Sequence, residues 1–301
     1  MAEKKNHTLL KITGTLAATA AVSYAGVTAY AFKEIFQTKN SRFYTDPEHF
    51  IFKDGEMTEW YHHSVTHDEY ITSYDGLKLH GLSMRNHEDS HQWILLAYGP
   101  GKHSKNLTEY LYEFDHAGYN ILTIDSRGFG KSEGKYTTLG WSEHYDVISW
   151  INFIINADPD ASISLFGTGI GANAVMNAAG DYLPSQVKCA VEEGGFTEIK
   201  DLLRHALTDA LKIDGNVILP ALNLMVKQFL HFSIYDVSTH RQLQQAQIPM
   251  LFIHGSEDSF LPESMLFDNF YAYGAERTLM TLQEAEKDYF GGVFQFLDSN
   301  H

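Results

Sequence analysis

The 301 residues contain one cysteine, Cys189, so no internal disulfide can form and the fold must rest on its core. Cys189 sits in the apolar run Val187 to Val191 and reads as a small buried hydrophobe, not a working thiol. Positive charge is scarce: 22 Lys and Arg stand against 38 Asp and Glu, a formal net charge of −16. That balance argues against nucleic acid as a partner, and against attraction of the folded part to acidic lipid head groups. Internal repeats and low-complexity tracts are absent. The 16 histidines form no known ligand set with Asp or Glu. His62, His63 and His67 are close in sequence and His87 and His91 are four apart, but they read as solvated surface groups, and neither a metal nor a cofactor is expected.

Charge is also missing from one continuous stretch, Ile12 to Phe32, which follows Lys4, Lys5 and Lys11. As a helix it is long enough to cross about 30 Å of hydrocarbon. Residues 1–40 are therefore expected to be an anchor or signal segment, with membrane contact through residues 9–32. The flanking lysines favour an inside N-terminus, giving a single-pass protein with its domain outside the cytoplasm. The alternative is a secreted protein cleaved after Ala29-Tyr30-Ala31, a small-x-small signature.

Residues 41–301 suit one α/β domain. Ile71 to Met84 is two extended runs about Asp75-Gly76, a dipeptide that favours a type I′ hairpin turn. Short apolar runs follow at Trp93 to Tyr98, Asn120 to Asp125, Ser162 to Phe166, Val187 to Glu192, Pro249 to His254 and Thr278 to Leu282. They alternate with helix-like segments at Asn106 to Ala117, Leu139 to Ile155 and Ala172 to Ala179. This pattern predicts a mostly parallel sheet with helices on both faces. Residues 197–247 lack a strand pattern and are expected to form a helical cap.

In open parallel sheets ligands bind at the carboxyl ends of strands, and four such ends matter here. Gly167-Thr168-Gly169-Ile170-Gly171 follows a strand and has the spacing of the nucleophile elbow, Gly-x-Ser-x-Gly. Its central position is Gly169, which adopts a strained backbone conformation freely but offers no nucleophile. A dinucleotide-binding turn fits less well, because the third glycine is displaced and the turn does not follow the first strand. His254-Gly255-Ser256-Glu257-Asp258 puts a carboxylate at the sheet edge, either as a triad acid or as a turn-capping Asp. The loop predicted for Gln283 to Tyr289 has Lys287 where a histidine base would stand; a lysine of ordinary pKa is a poor base at neutral pH and would pair with Asp258. After Tyr98-Gly99 comes Pro100, which has no N–H to give an oxyanion. Ile170 could still give its own. His103 and Ser104, just beyond, read as the start of a helix.

The stretch Asp125-Ser126-Arg127-Gly128-Phe129-Gly130-Lys131-Ser132-Glu133-Gly134 resembles the Asp-x-Arg-Gly-x-Gly-x-Ser-x-Gly loop of the α/β-hydrolase superfamily. With Gly140-Trp141, Asp146 and Gly195 to Thr197, the resemblance runs from about Ile71 to Phe296. It is strongest to bacterial membrane-anchored or cell-surface members related to serine aminopeptidases and monoglyceride lipases. It implies the α/β-hydrolase fold and a Ser-Asp-His triad acting on esters, amides or peptides. Carried over by position, only the acid remains, at Asp258; the nucleophile position is Gly169, the base position Lys287 and one oxyanion position Pro100.

The expected function is thus a membrane-tethered, non-catalytic hydrolase fold that binds a small molecule, lipid or protein in the former substrate cleft. The alternative is an active hydrolase using Thr168, Ser104 or Ser132 as hydroxyl, with Asp258, Glu284, Glu286 or Lys287 in acid–base roles. A cap histidine, His205 or His231, reaching Asp258 would favour the active reading.

Overall fold

The structure is a computed structural model that describes residues 21–39, 41, 44, 55–99, 107–254 and 263–300, with side chains throughout these except at 254, 263, 266 and 282–287. Pro100, His103, Ser104 and Asp258 lie outside the described residues, as does the Lys287 side chain.

The sheet has eight strands in the order β1-β2-β4-β3-β5-β6-β7-β8. They are β1 (Thr66–Thr72), β2 (Lys78–Met84), β3 (Gln92–Ala97), β4 (Asn120–Ile124), β5 (Ser162–Thr168), β6 (Val187–Glu193), β7 (Met250–His254) and β8 (Arg277–Thr281). Strand β2 runs antiparallel to both β1 and β4, and the pairs from β4 to β8 are parallel. The inner strands read as unbroken apolar runs because helices cover both faces; Ile94, Leu95 and Leu96 of β3 are all fully buried. One face packs against α4 (Glu143–Ala157) and α5 (Ile170–Ala179), with Trp150 and Ile151 at its centre. The other packs against α3 (Leu107–His116) and α10 (Leu282–Asp298), around Phe114 and Val293. Helix α2 (Gly55–His63) rests on α3, and α9 (Glu263–Ala272) follows β7.

Between β6 and β7 the chain is helical, as its lack of strand pattern predicts: α6 (Ile199–Leu211), a 3₁₀ turn (Gly215–Val217), α7 (Leu219–Leu230) and α8 (Thr239–Gln245). Three local expectations fail. Asp75-Gly76 is not a type I′ turn, because only Gly76 has positive φ (+89°). Ser73 N–H instead donates to Leu77 O at 2.8 Å, closing a three-residue loop with glycine in the left-handed position. The helix predicted from Leu139 starts at Glu143, because Leu139 and Gly140 both have positive φ. There the Glu143 carboxylate gathers donors from Thr137 Oγ1 at 2.8 Å, Thr138 N at 2.9 Å and Gly140 N at 3.0 Å. The loop predicted for Gln283 to Tyr289 is helical, interrupted by extended backbone at Asp288, so Lys287 stands in α10.

Residues 21–36 form a helix, α1, that packs onto the domain. Ala31, Phe32, Ile35 and Phe36 are buried in one cluster with Leu139, Ile170, Phe196 and the cap residues Leu203, Leu222 and Val226. A bridge between Gln37 and Tyr136 clasps its end. Among the described residues no helix is long and apolar enough to cross a membrane. The predicted span of Ile12 to Phe32 therefore has the wrong C-terminal boundary. Its last turns, with Thr28, Ala31 and Phe32 buried, meet protein and not lipid; residues 12–20 lie outside the described residues.

Candidate functional site

The turn from β5 into α5 is built by close approach. A Cβ on Gly171 would collide with the Ala97 carbonyl, and one on Gly99 with the Thr168 carbonyl. Glycine at these points lets β3, β5 and α5 meet backbone to backbone. Gly169, at the apex, has φ +55° and ψ −118°, outside the comfortable regions for an L-residue. A Cβ there would meet nothing within 4 Å. The turn thus holds the strained geometry that would present a side chain to open space, and carries no side chain. Its N–H donates to Glu193 O at 2.8 Å, tying the turn to the end of β6. Ile170, the first residue of α5, is buried among α1 and the cap.

Two of the three hydroxyls considered from sequence have structural partners, and the third, Ser104, lies outside the described residues. Thr168 is buried and its Oγ1 accepts from Gly99 N at 3.1 Å. Ser132 Oγ donates to Asp125 O and accepts from His80 N, both at 2.8 Å. Glu284 and Glu286 are in α10 with side chains outside the described set. His205 and His231 are both exposed on the cap, His231 with φ +60° at the end of α7. His231 lines a shallow cleft of about 530 Å³ with Trp141, Lys227, Phe232 and Asp236.

The signature loop from Asp125 to Gly134 serves the fold. Arg127 is buried and makes two 2.8 Å bonds to Asp146 on α4, with a third at 2.9 Å to Asp75 of the hairpin turn. Burial, outweighing this arginine, pushes the Asp146 carboxyl up to about 6.

Two clusters were not anticipated. The first is the acidic end of β6. Glu193 accepts a hydrogen bond from Tyr289 at 2.7 Å and a very short one from Tyr110. Burial, reinforced by this carboxylate, pushes both tyrosine hydroxyls well up from their ordinary values. Its neighbour Glu192 points to the opposite face, is fully buried, and takes Gly195 N–H at 2.9 Å; burial pushes its carboxyl up to about 8. Two glutamates ending an apolar strand were the available signal. The second is His80, held between Asp125 (2.7 Å) and Asp68 (2.9 Å), with Lys131 Nζ on Asp68 at 2.8 Å. Burial opposes a charged imidazole, but the two carboxylate partners prevail and raise its pKa. This cluster lines a cavity of about 340 Å³ with Leu82, Tyr98, Leu107, Ile124 and Phe129. The cavity is walled by β1, β2, β4 and the end of β3, and none of the elbow residues Gly167 to Gly171 is among its lining residues. No group of three or more His, Cys, Asp or Glu among the described residues is arranged to hold a metal ion.

A model of the family described as serine aminopeptidase, S33, matches residues 88–234. An uncharacterized Bacillus subtilis protein, YqkD, is 24% identical over 64% of this chain and 64% of its own length. An uncharacterized 31.7 kDa Escherichia coli protein is 32% identical over 36% of this chain and 38% of its own. Both alignments thus span less than two thirds of these relatives. Among solved structures, the Pyrococcus furiosus esterase Pf2001 superposes with a TM-score of 0.63 at 17% identity, covering 83% of this chain and 96% of that one. Acetyl xylan esterase 1 from a Thermoanaerobacterium species superposes with a TM-score of 0.56 at 16% identity, covering 86% of each. At these identities the superpositions speak for the fold alone.

Proposed function

We propose that this chain, which has the α/β-hydrolase fold, is a non-catalytic member of that superfamily, attached to a membrane through the uncharged stretch upstream of residue 21, that binds a small amphiphile at the carboxyl edge of its sheet. The observation that carries this reading is Gly169: the elbow keeps its strained conformation and its open space, but holds no nucleophile. Removing a triad member from a working triad costs several orders of magnitude in rate, whereas binding does not need the triad. The nearby hydroxyls, Thr168 and Ser132, are engaged in holding backbone. The assignments of Asp258, Lys287 and Pro100 to acid, base and oxyanion positions belong to the same proposal.

The ligand class follows from the cavity around His80 and Asp125. Its walls are apolar at Leu82, Leu107, Ile124 and Phe129, and ionic at His80, Asp125 and Lys131, which suits a molecule with an apolar body and a polar end. A fluorophosphonate probe and a panel of short-chain aryl esters test the loss of catalysis. The expected result is background labelling and background turnover. Labelling or turnover well above background, abolished by a substitution in the cleft, refutes it.

A further inference from the structure

We infer that the outward face shared by α1 and α7 rests on a lipid bilayer, with Val22, Val217 and Leu224 against the acyl region and Lys33 and Lys227 at head-group level. This rests on the membrane attachment proposed above and adds which face of the domain the bilayer meets. The two helices lie side by side and run in the same direction. At one end Tyr24 OH donates to Val217 O at 2.6 Å; at the other the rings of Phe32 and Phe229 are 5.4 Å apart. Their outward sides are apolar and uncovered: Val22 is 73% exposed, Val217 53%, Leu224 69% and Phe229 49%.

Charge selects the occupant. In a chain of net charge −16, the exposed residues of α1 and α7 include no Asp or Glu, and the one acid of these two helices, Glu34, is buried. Their only exposed charges are Lys33 and Lys227, each near the C-terminal end of its helix. At about 1.5 Å per residue, each lysine stands roughly 15 Å along the axis from the apolar start marked by Val22 or Val217. Apolar residues at one end and snorkelling lysines at the other is the arrangement an interface selects, with tyrosine and phenylalanine between them. The acids that flank this face are Asp214, whose carboxylate caps the turn of Val217 by accepting from Asn216 N at 2.9 Å, and Asp236, which shares the cleft of Trp141 and His231 with Lys227. The uncharged stretch Ile12 to Ala20 enters α1 at this same apolar end.

The test uses the full chain reconstituted in mixed phosphatidylcholine–phosphatidylglycerol vesicles, with a polarity-sensitive thiol dye placed at Leu224→Cys, at Gln228→Cys one turn further on, or at Tyr182→Cys. Position 182 is 97% exposed and precedes β6, at the sheet edge opposite the cap. The native Cys189 is fully buried and its thiol is pushed up to about 11, so it stays unlabelled. We expect blue-shifted emission and quenching by brominated lipid at 224, a smaller shift at 228 beside the head-group-level Lys227, and a water-like signal at 182. If the protein floats with the vesicles but 224 and 228 stay as wet as 182, attachment stands and the cap-face inference is overturned. If it does not float at all, both fail. If 224 becomes shielded without vesicles, in proportion to protein concentration, a second copy covers the face and the inference is likewise overturned.

Discussion

Replacing Gly169 by serine puts a nucleophile's hydroxyl where the fold would carry one, and the structure fixes what this should do. The backbone at φ +55°, ψ −118° costs a non-glycine residue about 1–3 kcal/mol. No steric cost is added, because a Cβ there meets nothing within 4 Å. Lower entropy of the unfolded chain returns about 0.4–1 kcal/mol. The net is a destabilisation of about 0–2.6 kcal/mol, or up to roughly 10 °C in melting temperature for a domain of this size. Gly171→Ala is the contrast. Gly171 lies in a helix, where alanine is ordinarily preferred, but its Cβ would collide with the Ala97 carbonyl and force β3 away from α5. It should cost more than about 3 kcal/mol, the upper end for overpacking. Circular dichroism with thermal and urea denaturation on the wild type, Gly169→Ser, Gly169→Ala and Gly171→Ala gives the comparison. A Gly169→Ser protein more stable than the wild type, or a Gly171→Ala protein milder than Gly169→Ala, refutes the argument that the turn is strained at its apex and tight at its base. The same Gly169→Ser protein should remain without aryl esterase activity, since a hydroxyl alone does not rebuild a triad.

Glu192 holds its proton in the folded state up to about pH 8, whereas in the unfolded chain it loses it near the ordinary glutamate value. Folding thus binds a proton across that window, and stability should fall as pH rises from about 5 to 8, by an amount on the order of a few kcal/mol; Glu192→Gln should flatten the curve in urea titrations, and an unchanged slope would assign it to another group. Phe36 is fully buried at the end of α1, so Phe36→Ala should cost about 3–5 kcal/mol by calorimetry; a loss below 1 kcal/mol would mean that α1 is not docked in solution. Arg127→Ala strips the buried Asp146 of its partner and should cost about 3–5 kcal/mol. Lys131→Ala removes an exposed pair with Asp68 and should stay within about 1 kcal/mol; equal losses from the two would contradict the burial argument.

The sheet was legible because its inner strands are buried on both faces and so appear as short apolar runs, from Trp93 to Met280. The cap was legible by default, as the long interval between two core strands with no strand pattern. Turn chemistry was less so. Asp75-Gly76 carries the composition of one hairpin loop and adopts another, because Ser73 and Leu77 close the ladder a residue further out. The start of α4 slipped by four residues because the Glu143 side chain collects backbone donors that a helix would otherwise have claimed. At the candidate site, the glycines of the elbow could be read from spacing, since only glycine permits that approach. The buried acids of β6 could not, because a glutamate ending an apolar strand looks the same whether it meets water or two tyrosine hydroxyls. The partners of α1 were hidden for a related reason: an uncharged helix satisfies lipid and a protein groove equally well, and only the shape of the cap distinguishes them.

The docking of α1 also has a temporal consequence. Apart from Ser41 and Tyr44, which bond to its last turn, the surfaces this helix meets come much later in the chain: Tyr136 and Leu139 by about a hundred residues, and Val217, bonded to Tyr24, by 193. Contacts this distant close late, since loop entropy must be spent before they return anything. On a ribosome the helix is made first and waits for its groove until the cap has been synthesised and folded. During that interval Phe32, Ile35 and Phe36 are uncovered, and a nearby bilayer or chaperone can hold them. Refolding from urea should therefore end with a distinct slow phase, in which α1, made before its groove, is the last to be seated.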